Sequence, residues 1–359
     1  MRLCGVDRRP ILVTGGAGFI GSNLADRLAG EGHDVLIYDA LARPGVEANL
    51  SWLRRRHPGR SAAVIADLRD RPVLEQAAGQ ARAVFHMAAQ VAVTTSLSDP
   101  EQDFDVNLRG TFFLLEALRR QSEPPPIVFA STNKVYGNLA DIALARNGEA
   151  YLPQDRELRD HGIGEDRPLS FYTPYGCSKG AADQYVLDYA RGFGIPACVL
   201  RMSCIYGPRQ LGTEDQGWLA HFLYSVQAGR PISIYGDGRQ VRDVLYVDDA
   251  VDAYVAAWER IGQVSGQAFN LGGGPGNAVT LLQILAEIGE VTGRKADLRF
   301  SDWRPGDQRY FVADTRRATA ALGLRPAVGW RDGLQRLADW IARERPRREP
   351  AVAAAGSAA

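Results

Sequence analysis

Near the start of the chain stands the segment Ile11-Leu12-Val13-Thr14-Gly15-Gly16-Ala17-Gly18-Phe19-Ile20-Gly21. Its apolar opening predicts a buried strand, and residues 22–30, which follow it, predict a helix. Its glycines satisfy both GxGxxG, at positions 16, 18 and 21, and GxxGxxG, at positions 15, 18 and 21. Glycine lets the backbone turn tightly and approach a pyrophosphate, and the helix N-terminus adds partial positive charge. The segment therefore predicts a strand, a phosphate-binding turn and a helix.

Strands and helices alternate regularly through the first half of the chain. Apolar runs at residues 34–38, 62–66, 83–86, 127–130 and 197–201 predict strands, and residues 103–120 and 175–193 predict long helices. This alternation is typical of a parallel sheet covered by helices on both faces, whose ligands bind at the carboxyl ends of the strands. The expected fold class is α/β, with a Rossmann-like doubly wound parallel sheet and a smaller C-terminal α/β substrate lobe.

The pattern loosens after residue 202, which sets the expected domain boundaries. We expect a dinucleotide-binding domain of residues 1–202 and 242–265, and a second lobe of residues 203–241 and 266–345. Residues 138–170 are polar and predict a long irregular loop, which in a compact domain is usually functional. Residues 346–359 are basic and then rich in Ala, Gly and Ser, which predicts a disordered tail.

The composition excludes several classes of function. The 359 residues carry 42 basic and 42 acidic side chains, so the formal net charge is zero, which argues against nucleic acid as a partner. No apolar run reaches the ~18 residues of a membrane span, and residues 1–10 lack the apolar core of a signal peptide. The four cysteines form no CxxC pair and have no histidine at metal-ligand spacing. We therefore expect reduced thiols, no bound metal and a cytoplasmic location.

Asp39 ends the second predicted strand and indicates which dinucleotide binds. It lies 21 residues beyond Gly18, close to the ~20 expected for a carboxylate that binds ribose hydroxyls. A carboxylate there repels a 2′-phosphate, so NAD is favoured over NADP as the cofactor, although the neighbouring Arg43 leaves the choice open. Asp67 follows the third strand, where it either contacts the cofactor or caps the next turn.

A tyrosine and a lysine lie four residues apart in Tyr175-Gly176-Cys177-Ser178-Lys179, at the start of a predicted helix. This spacing puts both side chains on one helical face. A free phenol has a pKa of about 10 and is a poor base at neutral pH. We expect the ammonium of Lys179 and an oxidised nicotinamide ring to lower the pKa of Tyr175. Thr132, at the carboxyl end of the fifth strand, is placed to share the proton of a reacting alcohol.

Together these motifs resemble the extended short-chain dehydrogenase/reductase family, which includes nucleotide-sugar epimerases and dehydratases, over residues 11–345. The resemblance implies a bound NAD, a catalytic triad of Thr132, Tyr175 and Lys179, and a homodimer or homotetramer built on the two long helices. The cofactor contacts that we expect are Gly15, Gly18, Phe19, Ile20, Gly21, Asp39, Asp67, Leu68, Ala88, Asn107, Tyr175 and Lys179.

The same resemblance implies a C-terminal lobe that binds the nucleoside diphosphate of a sugar substrate. Arginines at residues 236–243 and in Arg304-Pro305-Gly306-Asp307 suit a pyrophosphate, because a guanidinium binds phosphate oxygens in pairs. The substrate contacts that we expect are Thr94, Asn133, Lys134, Arg209, Gln216, Tyr235, Gln240, Arg242 and Arg304.

Asn133 and Lys134 follow the triad hydroxyl and bear on the reaction. Dehydratases of the family carry a carboxylate pair there, because elimination needs an acid and a base, and decarboxylating members carry a Glu. Neither residue here is a carboxylate, so redox-neutral epimerisation with NAD is favoured. The strings at residues 131–137, 173–185 and 215–218 are similar to those of family members that invert C2 of a CDP-hexose. The alternatives are 2-epimerisation of CDP-glucose, and 4-epimerisation or oxidoreduction of another nucleotide sugar by the same fold.

Overall fold

Short strands and intervening helices follow one another along the whole described chain. The computed structural model describes residues 9–304 and 306–348. Its strands are β1 (Ile11–Thr14), β2 (Val35–Asp39), β3 (Ser61–Ile65), β4 (Ala83–His86), β5 (Ile127–Thr132), β6 (Leu144–Asn147), β7 (Ala150–Pro153), β8 (Ala197–Met202), β9 (Cys204–Tyr206), β10 (Ile232–Tyr235), β11 (Val241–Tyr246), β12 (Gln267–Leu271), β13 (Ala278–Thr280), β14 (Leu298–Ser301) and β15 (Tyr310–Phe311). Its helices are α1 (Phe19–Gly30), α2 (Val46–Arg56), α3 (Arg71–Gly79), α4 (Val93–Ser98), α5 (Pro100–Phe104), α6 (Gly110–Arg119), α7 (Arg156–His161), α8 (Thr173–Phe193), α9 (Trp218–Ala228), α10 (Val247–Glu259), α11 (Ile261–Val264), α12 (Leu281–Thr292), α13 (Arg316–Leu322) and α14 (Trp330–Arg348).

The large sheet has seven strands in the order β12-β8-β5-β4-β1-β2-β3, and its neighbouring strands pair in parallel. The chain first adds strands on one side of β1 and then returns to add β4 on the other side. In doubly wound sheets, ligands bind in the crevice outside the carboxyl ends of the strands where this reversal occurs. The arrangement confirms the predicted fold class and places the crevice beside β1 and β4.

Helices cover both faces of the large sheet and form two apolar cores. Helices α1, α2, α10 and α13 pack on one face, where Leu24 and Leu53 are fully buried. Helices α3, α6 and α8 pack on the other face, where Leu74 and Leu118 are fully buried. Each fully buried leucine contributes about 1.5–3 kcal/mol of transfer free energy, so the cores hold the strand ends firmly.

A second group of strands is built around β11. This strand pairs with β9, β13 and β15, and β10 pairs with β14 in a separate two-stranded sheet. Helices α9, α12 and α14 enclose a third apolar core, in which Leu223, Ile284 and Leu337 are fully buried. These elements form the second lobe. Within the described residues, no helix is both long enough and apolar enough to cross a membrane.

The strand pairings place some segments differently from the predicted boundaries. Strand β12 falls in the range 266–345 that we predict for the second lobe, yet it pairs with β8 at the edge of the large sheet. Strand β11 overlaps the range 242–265 that we predict for the first domain, yet it belongs to the second lobe. Both segments are short and mix polar with apolar residues, and such a composition does not reveal which neighbour a strand pairs with. Helix α14 reaches Arg348, and the remainder of the predicted tail lies outside the described residues.

Two segments differ in secondary structure from the prediction: a predicted loop contains regular elements, and a predicted helix is interrupted. The loop predicted at residues 138–170 contains a β-hairpin, β6–β7, and helix α7. The helix predicted at residues 103–120 is interrupted by one π-helical turn, Asp105–Arg109, between α5 and α6. Such a turn widens a helix locally and is frequent at functional sites.

Candidate active site

The glycine-rich turn follows the GxxGxxG spacing. Gly15 has a φ of +66°, and a Cβ atom there would lie 2.7 Å from the Ala88 backbone nitrogen. A Cβ atom on Gly21 would overlap the carbonyl oxygen of Gly15. The Gly18 N–H donates to that same oxygen at 3.0 Å. Glycines 15 and 21 are therefore required for the turn to close against the ends of β1 and β4.

Helix α1 starts at Phe19, directly after Gly18, which has no side chain to cap it. The first N–H groups of a helix have no intrahelical partner and attract an anion. Asp39, at the end of β2, accepts hydrogen bonds from the Ala17 N–H at 2.9 Å and the Leu41 N–H at 2.8 Å. The carboxylate thus fixes the turn from its position at the end of β2. The N–H groups of the first turn of α1 are free to bind a phosphate, and the Asp39 carboxylate follows Gly18 by 21 residues. This combination fits a dinucleotide.

The side chains of Asp67 and Asn107, two predicted cofactor contacts, both bind other groups of the protein. The Asp67 carboxylate binds the Arg69 guanidinium at 2.9 and 2.8 Å, which lowers its pKa, and Asp70 rather than Asp67 caps α3. Asn107 is buried and uses its amide for the Gln90 backbone, Asp103 and Ser178. The polar atoms of Asn107 are thus directed at the protein, and its predicted cofactor contact stays a prediction. Leu68 is buried in the core on the α3 side.

The three predicted triad residues meet at the end of β5 and the start of α8. Thr132 ends β5, Tyr175 lies in the first turn of α8, and Lys179 lies one turn later. Thr132, Tyr175 and Lys179 are all buried. Thr132 lies close enough to Tyr175 to lower the pKa of its phenol, and the Tyr175 backbone N–H donates to the Ser96 hydroxyl at 3.2 Å. The structure therefore brings a phenol and a hydroxyl together on one side of the crevice.

Burial raises the pKa of Tyr175 to about 12, and the hydrogen bond from Thr132 only partly opposes this effect. The Lys179 ammonium lies 4.1 Å from the centroid of the Phe129 ring, and burial lowers its pKa to about 7. The prediction that Lys179 and an oxidised nicotinamide ring together lower the pKa of Tyr175 stays a prediction, because the value of about 12 applies without the ring. Burial outweighs charge here, because the low dielectric penalises both the phenolate and the ammonium.

Two buried carboxylates support these side chains, and the sequence analysis missed both roles. Asp183, four residues after Lys179, accepts from the Ser131 hydroxyl at 2.7 Å and from the Arg201 guanidinium at 2.9 and 3.0 Å. Asp103 accepts a short hydrogen bond from Ser178. The four-residue spacing of Asp183 from Lys179 is the signal that could have revealed the first of them.

His86, at the end of β4, is fully buried between two hydroxyls. Its Nδ1 lies 2.6 Å from Thr14 Oγ1 and its Nε2 lies 3.0 Å from Thr111 Oγ1. Burial and the charge of Lys179 lower its pKa to about 3. A neutral imidazole with both nitrogens occupied joins β1, β4 and α6 and is not available for proton transfer.

Arg242, Lys134 and Asp307 form the part of the site that joins the two lobes. Arg242 Nη2 donates to Asp307 Oδ1 at 2.7 Å, and Lys134 Nζ lies 3.7 Å from the same oxygen. Lys134 Nζ also lies 3.4 Å from Gln308 Oε1. Asn133, which is buried, accepts from the Thr132 hydroxyl at 3.4 Å. Lys134 thus reaches the second lobe, whereas Asn133 stays beside Thr132, and the substrate contacts predicted for both remain predictions.

Arg304 and Tyr235 lie on a more open part of the second lobe. The Arg304 guanidinium stacks on the Tyr235 ring at 3.9 Å and lies 3.1 Å from Asp215. Arg209 is elsewhere: its guanidinium lies 3.1 Å from the centroid of the Trp52 ring on α2. Its carbonyl oxygen accepts from Asn49, which also donates to Ala17 in the glycine-rich turn. The Arg209 side chain therefore lies against α2, where it lines a pocket together with Gln216, and its predicted contact with the substrate stays a prediction.

Three other predicted substrate contacts have unmet hydrogen-bonding capacity. Thr94 Oγ1, Gln216 Oε1 and Gln240 Oε1 are buried and have no hydrogen-bond partner among the described residues. Gln240 also donates to the Tyr235 carbonyl oxygen at 2.9 Å. Buried polar atoms are normally paired, so these oxygens are candidates to accept hydrogen bonds from a ligand.

Comparison with known proteins yields one family and several similar structures. Residues 11–272 match the NAD dependent epimerase/dehydratase family model. The chain is 40% identical over 339 residues to CDP-paratose 2-epimerase of Salmonella typhi, which covers 92% of this chain and 98% of that protein. The fold is similar to UDP-glucose 4-epimerase with UDP-glucose from Thermotoga maritima, with a TM-score of 0.79 and 30% identity over 93% of this chain and 99% of that one. It is also similar to UDP-glucose 4-epimerase in complex with NAD from Thermus thermophilus, with a TM-score of 0.77 and 32% identity over 93% of this chain and 99% of that one.

Proposed function

The chain belongs to the NAD-dependent epimerase/dehydratase family, and from that premise we propose that it inverts C2 of a CDP-hexose, as in the conversion of CDP-paratose to CDP-tyvelose. The observation that carries this proposal is the buried pair of Thr132 and Tyr175 beside Asn133 and Lys134. This arrangement provides a group for proton transfer but no carboxylate pair. The 40% identity to a CDP-paratose 2-epimerase supports the choice of carbon and nucleotide.

Proton transfer in the proposed reaction is assigned to Tyr175 and Thr132. Tyr175 accepts the proton of the C2 hydroxyl as that carbon is oxidised, and it returns a proton when the ketone is reduced on its other face. Thr132 donates a hydrogen bond to the same sugar oxygen and keeps it within reach of the phenol. A phenol with a pKa of about 12 stays protonated at neutral pH, so this base needs additional positive charge in the site.

The residues that would hold the cofactor are Gly15, Gly18 and Gly21, the first turn of α1, and Asp39. NAD, when bound, accepts a hydride from the sugar carbon and returns it, and in its oxidised form it brings a positive charge into the site. Asp39 disfavours NADP, because a carboxylate repels a 2′-phosphate. The cradle thus matches a cofactor that is regenerated in each cycle.

Asn133 and Lys134, which follow Thr132, argue against dehydration, another reaction of this family. Elimination of water needs an acid and a base on adjacent carbons. Asn133 is an amide, and Lys134 is engaged with Asp307 and Gln308. Neither supplies the carboxylate pair of a dehydratase, which leaves oxidation and reduction at one carbon as the chemistry favoured here.

The proposal includes a homodimer. Phe112 on α6 and Tyr185 and Phe193 on α8 are large hydrophobic side chains with 36%, 43% and 50% of their surface exposed. Phe112 contacts Tyr185 edge to face, with ring centroids 6.0 Å apart, so these residues form one aromatic patch. A patch of this kind on two adjacent helices is typical of a protein interface.

The proposed function is tested by incubating the purified protein with CDP-paratose, CDP-glucose and UDP-glucose without added cofactor. The configuration at C2 and C4 is followed by NMR, together with the absorbance of reduced nicotinamide. We expect inversion at C2 of a CDP-hexose without net accumulation of NADH. Inversion confined to C4, or release of a keto sugar with reduced cofactor, would refute the proposal.

A further inference from the structure

Lys134 is tied to the catalytic hydroxyl and reaches across to the second lobe. Its backbone N–H donates to Thr132 Oγ1 at 3.2 Å, at the start of the 3₁₀ turn Asn133–Tyr136. Its ammonium lies 3.4 Å from Gln308 Oε1 and 3.7 Å from Asp307 Oδ1. About a fifth of its side chain is exposed, at 22%, so a ligand in the crevice can reach it.

The direction of the Lys134 side chain is fixed by Gln308. Gln308 is fully buried, and its Nε2 donates to the carbonyl oxygen of Gly137 at 2.7 Å. Because that hydrogen bond uses the amide nitrogen, the amide oxygen faces Lys134. The ammonium is therefore held in place before any substrate binds, which lowers the conformational entropy that binding must remove.

Lys134 and Arg242 converge on one anion. Both contact Oδ1 of Asp307, at 3.7 Å and 2.7 Å. Asp307 carries one negative charge against these two positive charges, so the group keeps a net positive charge that attracts a phosphate, and Lys134 is the cation of the two that is more exposed to it. Burial and the charge of Arg242 lower the pKa of Lys134, so a further anion would favour its charged form.

The choice of lysine at this position is unusual for this chain. Only three of its 42 basic residues are lysines, namely Lys134, Lys179 and Lys295. Two of the three lie in the site, and the third is exposed between α12 and β14. A lysine presents a compact point charge on a flexible stem, whereas an arginine presents a planar guanidinium.

The chemistry of the substrate explains why a cation is needed so close to Thr132. In a nucleotide sugar the β-phosphate is attached to C1, which is bonded to C2, whereas C4 lies on the opposite side of the ring. An enzyme that acts at C2 must therefore hold the β-phosphate beside its catalytic phenol. We propose that Lys134 binds the β-phosphate of the substrate and thereby places C2, rather than C4, at Tyr175. The part that concerns C2 rests on the proposed function.

The phosphate assignment is tested by binding, with the NAD-loaded protein and without turnover. Wild-type, Lys134→Met, Lys134→Arg and Lys295→Met proteins are titrated calorimetrically with CDP and with CMP, which lacks the β-phosphate. We expect Lys134→Met to weaken CDP binding about tenfold to a hundredfold, the range of a lost charge-assisted hydrogen bond, and to change CMP binding less than about twofold. Lys134→Arg should retain part of the affinity for CDP, and Lys295→Met should match wild type for both ligands.

An unchanged affinity of Lys134→Met for CDP, or equal losses for CDP and CMP, would overturn the proposal. NAD content and thermal unfolding show whether the variant is folded, and Lys134→Gln serves as a second neutral variant if it is not. Failure of the proposed function is recognised separately, because it appears in the wild-type protein as inversion at C4. In that case a selective loss of CDP binding still assigns the β-phosphate to Lys134 but refutes its role in selecting C2.

Discussion

The side of the crevice that we propose for catalysis and the side that we propose for the nucleotide contain ion pairs that differ in burial. On the catalytic side, Asp183 and Arg201 form an ion pair whose side chains are 0% and 5% exposed. On the nucleotide side, Arg304 and Asp215 form a pair whose side chains are 25% and 47% exposed. The first pair also binds Ser131, next to the catalytic Thr132, whereas the second joins two loops.

The buried ion pair must stay intact for the protein to remain folded, whereas a ligand can replace one partner of the exposed ion pair. A buried ion pair is costly to break, because removal of one partner leaves an uncompensated charge in a low dielectric. An exposed ion pair contributes little to stability and exchanges partners easily. We therefore expect substitutions on the catalytic side to affect folding or chemistry, and substitutions on the nucleotide side to affect substrate binding alone.

Tyr175→Phe should produce the largest effect of all. Loss of the phenolic hydroxyl removes the proposed base, so turnover should fall by about 10³-fold or more, within the range attributed to acid–base catalysis. NAD content and the temperature of unfolding should stay close to wild type, because the ring still fills its place. Turnover is measured by NMR of the product. Wild-type turnover in this variant would remove Tyr175 from the mechanism.

Asp183→Asn should destabilise the fold strongly. The substitution leaves the Arg201 charge buried without its partner, so the free energy of unfolding should fall by about 3–5 kcal/mol. Urea unfolding at a fixed excess of NAD measures this change. Arg71→Met is the matched control, because it breaks a partly exposed ion pair with Glu75 and should cost less than about 1 kcal/mol. Equal losses in the two variants would abolish the distinction between buried and exposed ion pairs on which the comparison of the two sides rests.

His86 should make the stability of the catalytic side depend on pH. Its pKa is lowered from 6.5 to about 3 by burial, so below pH 6.5 the unfolded chain binds a proton that the folded chain does not. The free energy of unfolding should therefore fall as the pH drops from 6.5 toward 3, by about 2 kcal/mol at pH 5. His86→Gln should remove this part of the pH dependence in urea unfolding. An unchanged pH dependence in the variant would show that His86 does not contribute.

Arg304→Met should have the smallest effect on stability. Loss of the exposed pair with Asp215 should change the free energy of unfolding by less than about 0.5 kcal/mol. If Arg304 binds the diphosphate, KM for the nucleotide sugar should rise about tenfold while kcat stays near wild type. Steady-state kinetics measure both parameters. A fall in kcat with unchanged KM would place Arg304 on the catalytic side instead.

The sequence predicts the fold of the first domain well, because the motifs that indicate it are local in the chain. The glycine-rich turn, the strand that ends at Asp39 and the Tyr175–Lys179 spacing each lie within one strand–helix unit. The helical spacing from Lys179 would also have indicated Asp183, although no local pattern shows that Arg201 on β8 is its partner. That contact depends on the pairing of β5 and β8, which only the assembled sheet reveals.

The second lobe is harder to predict, because its contacts join distant parts of the chain. Lys134 and Gln308 lie 174 residues apart, and the strings that contain them do not indicate that they meet. Arg209 stacks on Trp52 because the loop that carries it is bound to α1 and α2 through Asn23 and Asn49, and no sequence motif indicates these contacts. The burial that raises the pKa of Tyr175 is equally hidden from the sequence, since burial cannot be read from the spacing of two residues.

Inversion of a CDP-hexose labelled with deuterium at C2 is the most direct test of transient oxidation at that carbon. The wild-type protein is incubated with the labelled substrate in ordinary water, and the product is examined by NMR and mass spectrometry. We expect the inverted product to keep its deuterium at C2, because the hydrogen leaves and returns within one active site. Loss of the label to solvent, or a product inverted at C4 with C2 unchanged, would contradict this mechanism.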